Sequence, residues 1–145
     1  MIDKIDEQII QFLAKNGRIK LSDLAKKVNL SISPCQARLK KLEDKKYILG
    51  YHARVNYEQM RKAHIAFVQV SLSDTRASAL EKFNLEVSKL ESVEQCHMIA
   101  GNFDYLLKVR TKNISEYRVL LSEKISALPN VSSTSTFVSM ETVKD

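Results

Sequence analysis

Between Leu21 and Val28, apolar residues stand at 21, 24, 25 and 28, the spacing of one stripe along a helix, with Lys26 and Lys27 on its polar side. Asn29-Leu30-Ser31 breaks the pattern. Ser33-Pro34-Cys35-Gln36 restarts it, with Ser33 expected as N-cap, Pro34 at the first helical position and Gln36 where a capping box places a polar side chain. In this second helix Cys35, Leu39 and Leu42 share one stripe, and Ser33, Ala37, Lys40 and Lys41 face the other way. A further helix precedes both, from Asp3 to Lys15, with Asp3 as N-cap, Ile5, Ile9, Phe12 and Leu13 inward and Asn16-Gly17 at its end. Three helices with a tight turn between the last two form a helix-turn-helix core, whose final helix enters a DNA major groove. Tyr47 to Val55 is rich in β-forming residues broken by Gly50, which predicts a small hairpin or wing beside that helix.

After a polar stretch, Asn56 to Lys62, read as a hinge, the period changes. Ala63 to Leu72 is expected as a strand, Arg76 to Leu90 as a helix with Leu80, Phe83, Val87 and Leu90 inward, and Val93 to Ala100 as a strand. Gly101-Asn102 turns the chain. Asp104 to Thr111 alternates with Tyr105, Leu107 and Val109 on one face, Ser115 to Leu128 is a helix, and Val131 to Met140 is the last strand. The order βαββαβ predicts an antiparallel four-stranded sheet with both helices on one face, the ferredoxin-like arrangement. The expected fold class is therefore α+β, with a winged helix-turn-helix domain at residues 1–61 and a ferredoxin-like domain at 62–145. In the first strand Ile65 and Phe67 oppose Ala66, Val68 and Val70, so both of its faces are apolar. A sheet face left uncovered and apolar predicts a homo-oligomer, at least a dimer, which would also bring two recognition helices to successive turns of DNA.

Charge sharpens the division. Of the formal net charge of +6, residues 1–61 supply everything, with 13 Lys+Arg against 7 Asp+Glu, while residues 62–145 balance at 10 against 10. A basic excess confined to the helix-turn-helix is what neutralising phosphates requires. At 145 residues and 44% hydrophobic the chain can build real cores. No apolar run approaches the roughly 20 residues of a membrane span, and the first residues, with Asp3, Asp6 and Glu7, do not follow a signal-peptide pattern. The expected location is the cytoplasm, at the nucleoid. Cys35 and Cys96 fall at helix-stripe and strand positions and are read as core thiols, not a disulfide or zinc pair. His52, His64 and His97 are scattered and no Gly-rich phosphate loop is present, so neither an enzyme, a metal site nor a cofactor is expected.

Three groups of residues carry a resemblance: Ser33-Pro34-Cys35 followed by Arg38, Leu42 and Glu43; Gly101-Asn102-Phe103-Asp104-Tyr105-Leu106-Leu107; and Leu128-Pro129 with Thr134-Ser135-Thr136. With them the chain, over nearly its whole length, resembles the Lrp/AsnC family of bacterial and archaeal transcription regulators. That resemblance implies a winged helix-turn-helix joined to a βαββαβ effector domain, dimers that assemble further into octamers or similar rings, and amino acids as effectors. The candidate DNA contacts are Ser31, Ser33, Pro34, Gln36, Ala37, Arg38, Lys40 and Lys41, with Arg54 at a backbone phosphate. Gln36 either reads adenine through paired hydrogen bonds or completes a cap with Ser33. Arg38 lies between the two helix faces and either touches DNA or braces the domain. Arg54 is equally well read as an ordinary exposed arginine.

An amino acid effector brings an ammonium, a carboxylate and a side chain. Asp104, beside the Gly101-Asn102 turn and flanked by Phe103 and Tyr105, suits the ammonium, and Gly101 lets backbone N–H groups approach the carboxylate. Thr134 and Thr136 add hydroxyls. The resemblance places the pocket at this turn and an opposing subunit, with Met98, Ala100, Ile114 and Phe137 as apolar walls that suit leucine or methionine. The competing view is a plain connecting turn in which Asp104 caps backbone groups. Two other functions stand beside amino acid sensing: a nucleoid-associated architectural protein without effector response, and RNA binding on the sheet. The second is disfavoured by the neutral C-terminal domain and its lack of paired surface aromatics.

Overall fold

Asp3 starts the first helix as expected. In the computed structural model, which describes residues 1–144, its carboxylate accepts the N–H groups of Ile5 and Asp6, and Asp6 accepts the N–H of Asp3 in return. This reciprocal cap satisfies donors that a helix start leaves open. Helix α1 (Lys4–Lys15) is followed by α2 (Leu21–Lys27) and α3 (Ile32–Asp44). Their core is Ile9, Leu24, Ala25, Val28, Cys35 and Leu42, with Ile5, Phe12, Leu13 and Leu39 packed at its margin. Together with the segment to Val55 they form one compact unit, and the chain from Asn56 onward forms another.

Two expectations for the first unit are corrected. Helix α3 begins at Ile32 with Ser31 in the N-cap position and no side-chain cap, so Ser33 is not the cap and Gln36 completes no capping box. Pro34 does not fix the first helical position, because a missing N–H is tolerated throughout the first turn, where no intrahelical acceptor awaits it. Residues 47–55 form no strand, and hence no paired hairpin. Tyr51 instead folds back, donating its hydroxyl to Glu43 Oε1 at 2.7 Å, and its ring lies so near Gly17 that a Cβ there would be 3.3 Å from Tyr51 Cδ1. A β-rich segment without a partner strand has no ladder to join. Helix α3 closes with Tyr47 N–H on Leu42 O and Lys46 N–H on Glu43 O, a Schellman end in which Lys46, at φ 61°, holds the left-handed position that usually belongs to glycine.

In the second unit β1 (His64–Leu72), α4 (Ala77–Val87), β2 (Val93–Met98), β3 (Tyr105–Thr111), α5 (Ile114–Leu120) and β4 (Val131–Val138) follow the expected order. The sheet runs β2-β3-β1-β4, all antiparallel. Ala66, Val68, Val70, Tyr105, Leu107 and Val109 pack beneath the helices against Phe83, Val87, Tyr117, Ile125 and Leu128. The second helix is not regular to residue 128: beyond Leu120 it widens into a π turn, Leu121–Ile125, with Ser126 N–H on Leu121 O. Cys35 is buried as expected, but Cys96 is exposed, because β2 is an edge strand with no neighbour beyond it. On the opposite face Phe67 is cross-strand to Phe137, and Lys108 and Arg110 both pair with Glu94. Tyr57, in the polar stretch read as a hinge, lies under the Arg110 guanidinium at 4.0 Å.

Candidate DNA-reading helix and ligand-binding turn

Ser31, Ser33, Pro34, Gln36, Ala37, Lys40 and Lys41 are all exposed along α3, on the side away from Cys35 and Leu42. Sequence patterning does not single out Ile32, half exposed as the first helical residue, because a helix begun at Ser33 leaves it in the turn. A methyl-bearing side chain there can meet a thymine methyl. Arg38 does not join this row. Its Nη1 lies 2.6 Å from Asp3 Oδ2 and 2.7 Å from Asp6 Oδ1, and Asp6 is only 3% exposed, so of its two open roles the geometry gives it the brace between α1 and α3. The N–H of Asp6 and then the Arg38 guanidinium hold the Asp3 carboxyl below its ordinary range. Arg54 is exposed on a segment without regular structure.

In the second unit the chain folds tightly between β2 and β3. Ile99 N–H bonds Asp104 O at 2.8 Å, and Asp104 N–H bonds Val70 O at 2.9 Å. The Asp104 carboxylate accepts the N–H of Leu72 at 2.6 Å, so it caps the end of β1, as the plain-turn view expected. Tyr105 is buried: its ring packs 4.3 Å from that of Phe83 and burial pushes its hydroxyl pKa up. Tyr105 is therefore a core residue rather than an open flank of the turn.

One chain does not gather the remaining expected residues. Met98, Ala100, Gly101, Asn102, Phe103 and Asp104 cluster at the turn beside β2. Thr134 and Thr136 stand on β4, at the other edge of the sheet: three strand spacings, roughly 14 Å, from Met98 on β2, and two, roughly 10 Å, from Asp104, which bonds Val70 and Leu72 on the intervening β1. Thr136 Oγ1 is 2.5 Å from the Tyr117 hydroxyl. Phe137 points to the opposite sheet face, and Ile114, 55% exposed, begins α5 beyond the far end of β3. No cluster of metal-ligating side chains occurs among the described residues, and no described helix is long and apolar enough to cross a membrane.

Comparison with known proteins gives this geometry its class. Residues 2–48 match the description winged helix-turn-helix DNA-binding, and residues 65–145 match Lrp/AsnC ligand binding domain. The chain is 55% identical over 144 residues to a proline dehydrogenase transcriptional activator of Rhizobium radiobacter, covering 99% of this chain and 92% of that one. It is 42% identical over 143 residues to the leucine-responsive regulatory protein of Escherichia coli K12, covering 99% and 87%. Among solved structures, a transcriptional regulator from Neisseria meningitidis in complex with L-Met superposes with TM-score 0.92 at 30% identity, covering 100% of this chain and 94% of that one. A feast or famine regulatory protein from M. tuberculosis complexed with L-methionine gives 0.91 at 32%, covering 100% and 96%. The fold and its relatives define a DNA-binding transcription regulator with a ligand-binding domain, not an enzyme. The chain belongs to the Lrp/AsnC family.

Proposed function

We propose that this regulator, acting at DNA in the cytoplasm, changes its DNA binding or assembly in response to a small apolar amino acid, leucine or methionine first. The observation that carries the DNA half is the exposed row Ser33, Gln36, Ala37, Lys40 and Lys41 on a helix whose support is complete within one chain. The ligand half draws on the methionine-bound relatives and on the separation of the turn from Thr134 and Thr136. A second copy, meeting the Phe67 and Phe137 face, supplies what the turn lacks, and dimers built this way assemble further, up to an octamer. The two working parts divide close to the boundary between the compact units, which falls after Val55, a few residues before the 61/62 division expected from the sequence.

The test uses the full-length protein. Lys40→Ala and Lys41→Ala should each lower the slope of log affinity against log salt by about one unit while weakening binding to all sequences. Unchanged slopes in both variants remove them from the interface. A thermal-shift screen of the twenty amino acids should show stabilisation by leucine or methionine, since a ligand that binds only the native state raises its stability by mass action. No stabilising amino acid would leave an architectural DNA binder without sensing. If Asp104 still has a lone pair for the ligand ammonium, Asp104→Asn lowers ligand affinity about tenfold or more. Unchanged affinity in a normally assembled variant takes Asp104 out of the site.

A further inference from the structure

The exposed side chains of α3 fall in two rows of residues four apart, Ile32, Gln36 and Lys40 in one and Ser33, Ala37 and Lys41 in the other. Each row begins uncharged and ends on a lysine. From Ser31 to Ala37 the chain carries no charged residue at all. The nearest cation, Arg38, turns its guanidinium to Asp3 and Asp6, and the nearest carboxylate on the helix, Glu43, accepts the Tyr51 hydroxyl. Gln36 is left with a carboxamide that the fold does not use. The capping box that would engage it does not form, because Ser31 and not Ser33 holds the N-cap position, and its side chain makes no hydrogen bond among the described residues.

A recognition helix meets base edges with its N-terminal residues, and each base edge asks for a different partner there. Guanine takes paired donors from arginine or lysine, and cytosine takes an acceptor from a carboxylate; adenine takes the donor and acceptor of one carboxamide, and thymine an apolar contact for its methyl group. The first two turns of α3 hold neither of the first two chemistries. They hold one free carboxamide, on Gln36, and the methyl groups of Ile32 and Ala37. Four residues, about 6 Å of helix rise, separate Ile32 from Gln36, which is one or two base-pair steps at roughly 3.4 Å each. We propose that the start of α3 selects A·T pairs: Gln36 pairs with N6 and N7 of an adenine, and Ile32 packs on a thymine methyl one or two pairs away. The lysines, a turn later, hold the backbone. This assignment rests on α3 lying in the major groove, the reading proposed above, and adds to it which bases are read and by which side chains.

The experiment selects duplexes from a pool with a randomised central stretch, using the full-length protein, and repeats the selection with variants at two exposed positions. The wild-type site should contain an adenine whose replacement by guanine lowers affinity roughly 5- to 150-fold. Gln36→Ala should tolerate every base at that position. Gln36→Glu, an acceptor only, should move the preference there from adenine to cytosine, a switch that a merely structural glutamine would not produce. Deoxyuridine in place of the nearby thymine removes one methyl group and should weaken wild-type binding about fourfold, with no such loss in Ile32→Ser. Guanine or cytosine selected by the wild type at the position that Gln36→Ala relaxes, or a specificity that Gln36→Ala leaves intact, overturns the adenine assignment. Equal sensitivity to deoxyuridine in the wild type and Ile32→Ser overturns the thymine contact. If Lys40→Ala and Lys41→Ala still lower the salt slope, only the base reading falls; unchanged slopes as well would overturn the placement of α3 at DNA.

Discussion

The candidate DNA-reading helix and the candidate ligand-binding turn differ in how far their parts are spread. The exposed row of α3 runs from Ser31 to Lys41, one short stretch supported by a core that two neighbouring helices complete. The residues expected around the turn run from Met98 to Phe137 and stand at two edges and on two faces of one sheet. A single helix can present its chemistry as soon as it is packed, whereas chemistry distributed across a sheet needs the whole topology and, in the function proposed above, a second copy. The brace and the cap that hold the two regions differ in the same way. Arg38 ties α3 to carboxylates 32 and 35 residues away, while Asp104 ties the turn to its own sheet.

Arg38→Ala should have the largest effect, because it leaves the buried Asp6 carboxylate without its cation. Breaking a buried pair from one side costs about 3–5 kcal/mol. With Arg38 and Asp3 both partly exposed, a loss of about 2–3 kcal/mol is expected in denaturant unfolding of the N-terminal unit, recovered in part by Asp6→Asn in the same chain. A loss under ~0.5 kcal/mol would show the brace to be idle. Asp104→Ala should cost about 1–2 kcal/mol, through the unpaired Leu72 N–H, and Asp104→Asn less than about 1, since its amide oxygen still accepts; the unfolding transition of the C-terminal unit measures both. Lys46→Gly should stabilise the first unit by about 0.5 kcal/mol, relief of the left-handed residue outweighing the added freedom of the unfolded chain.

The smallest effect is in acid. The folded Asp3 carboxyl titrates below its ordinary value near 3.8, so its contribution is fully present above that pH and is lost as pH falls through the lowered folded value. Asp3→Asn should flatten the decline of N-terminal stability below about pH 4, followed by circular dichroism. An unaltered acid limb in that variant would assign acid unfolding to other groups.

What was legible in the sequence was local. The Asp3 cap, the α1 and α2 stripes and the alternation of β3 are each written within a dozen residues and each formed as expected. The start of α3 slipped because Ser31 and Ser33 are both good caps and Pro34 is acceptable anywhere in the first turn. The hairpin at 47–55 slipped because β propensity needs a partner, and Tyr51 found Glu43 first. Cys96 was misplaced because strand order within the sheet, which makes β2 an edge, is not a local property. Arg38 was left open by the helix wheel and decided only by contacts from another helix. The turn at Asp104 was found, but its pairing with Leu72 joins residues 32 apart, a distance no motif spans.

The π turn at Leu121–Ile125 has a consequence for chain length. A helix that closes one turn with an i to i+5 bond holds one residue more than its α-helical register needs. The surplus sits on the stretch between Tyr117 and Ile125, the buried residues near the two ends of that helix. Deleting Ser122, which is exposed, should let that stretch relax into ordinary α geometry without pulling either anchor out of the core. The same deletion from the middle of α4, which has no such slack, should rotate its buried face by about 100° and unfold the unit. Of the two helices on the sheet, only the later one is built to absorb a change in the number of its residues.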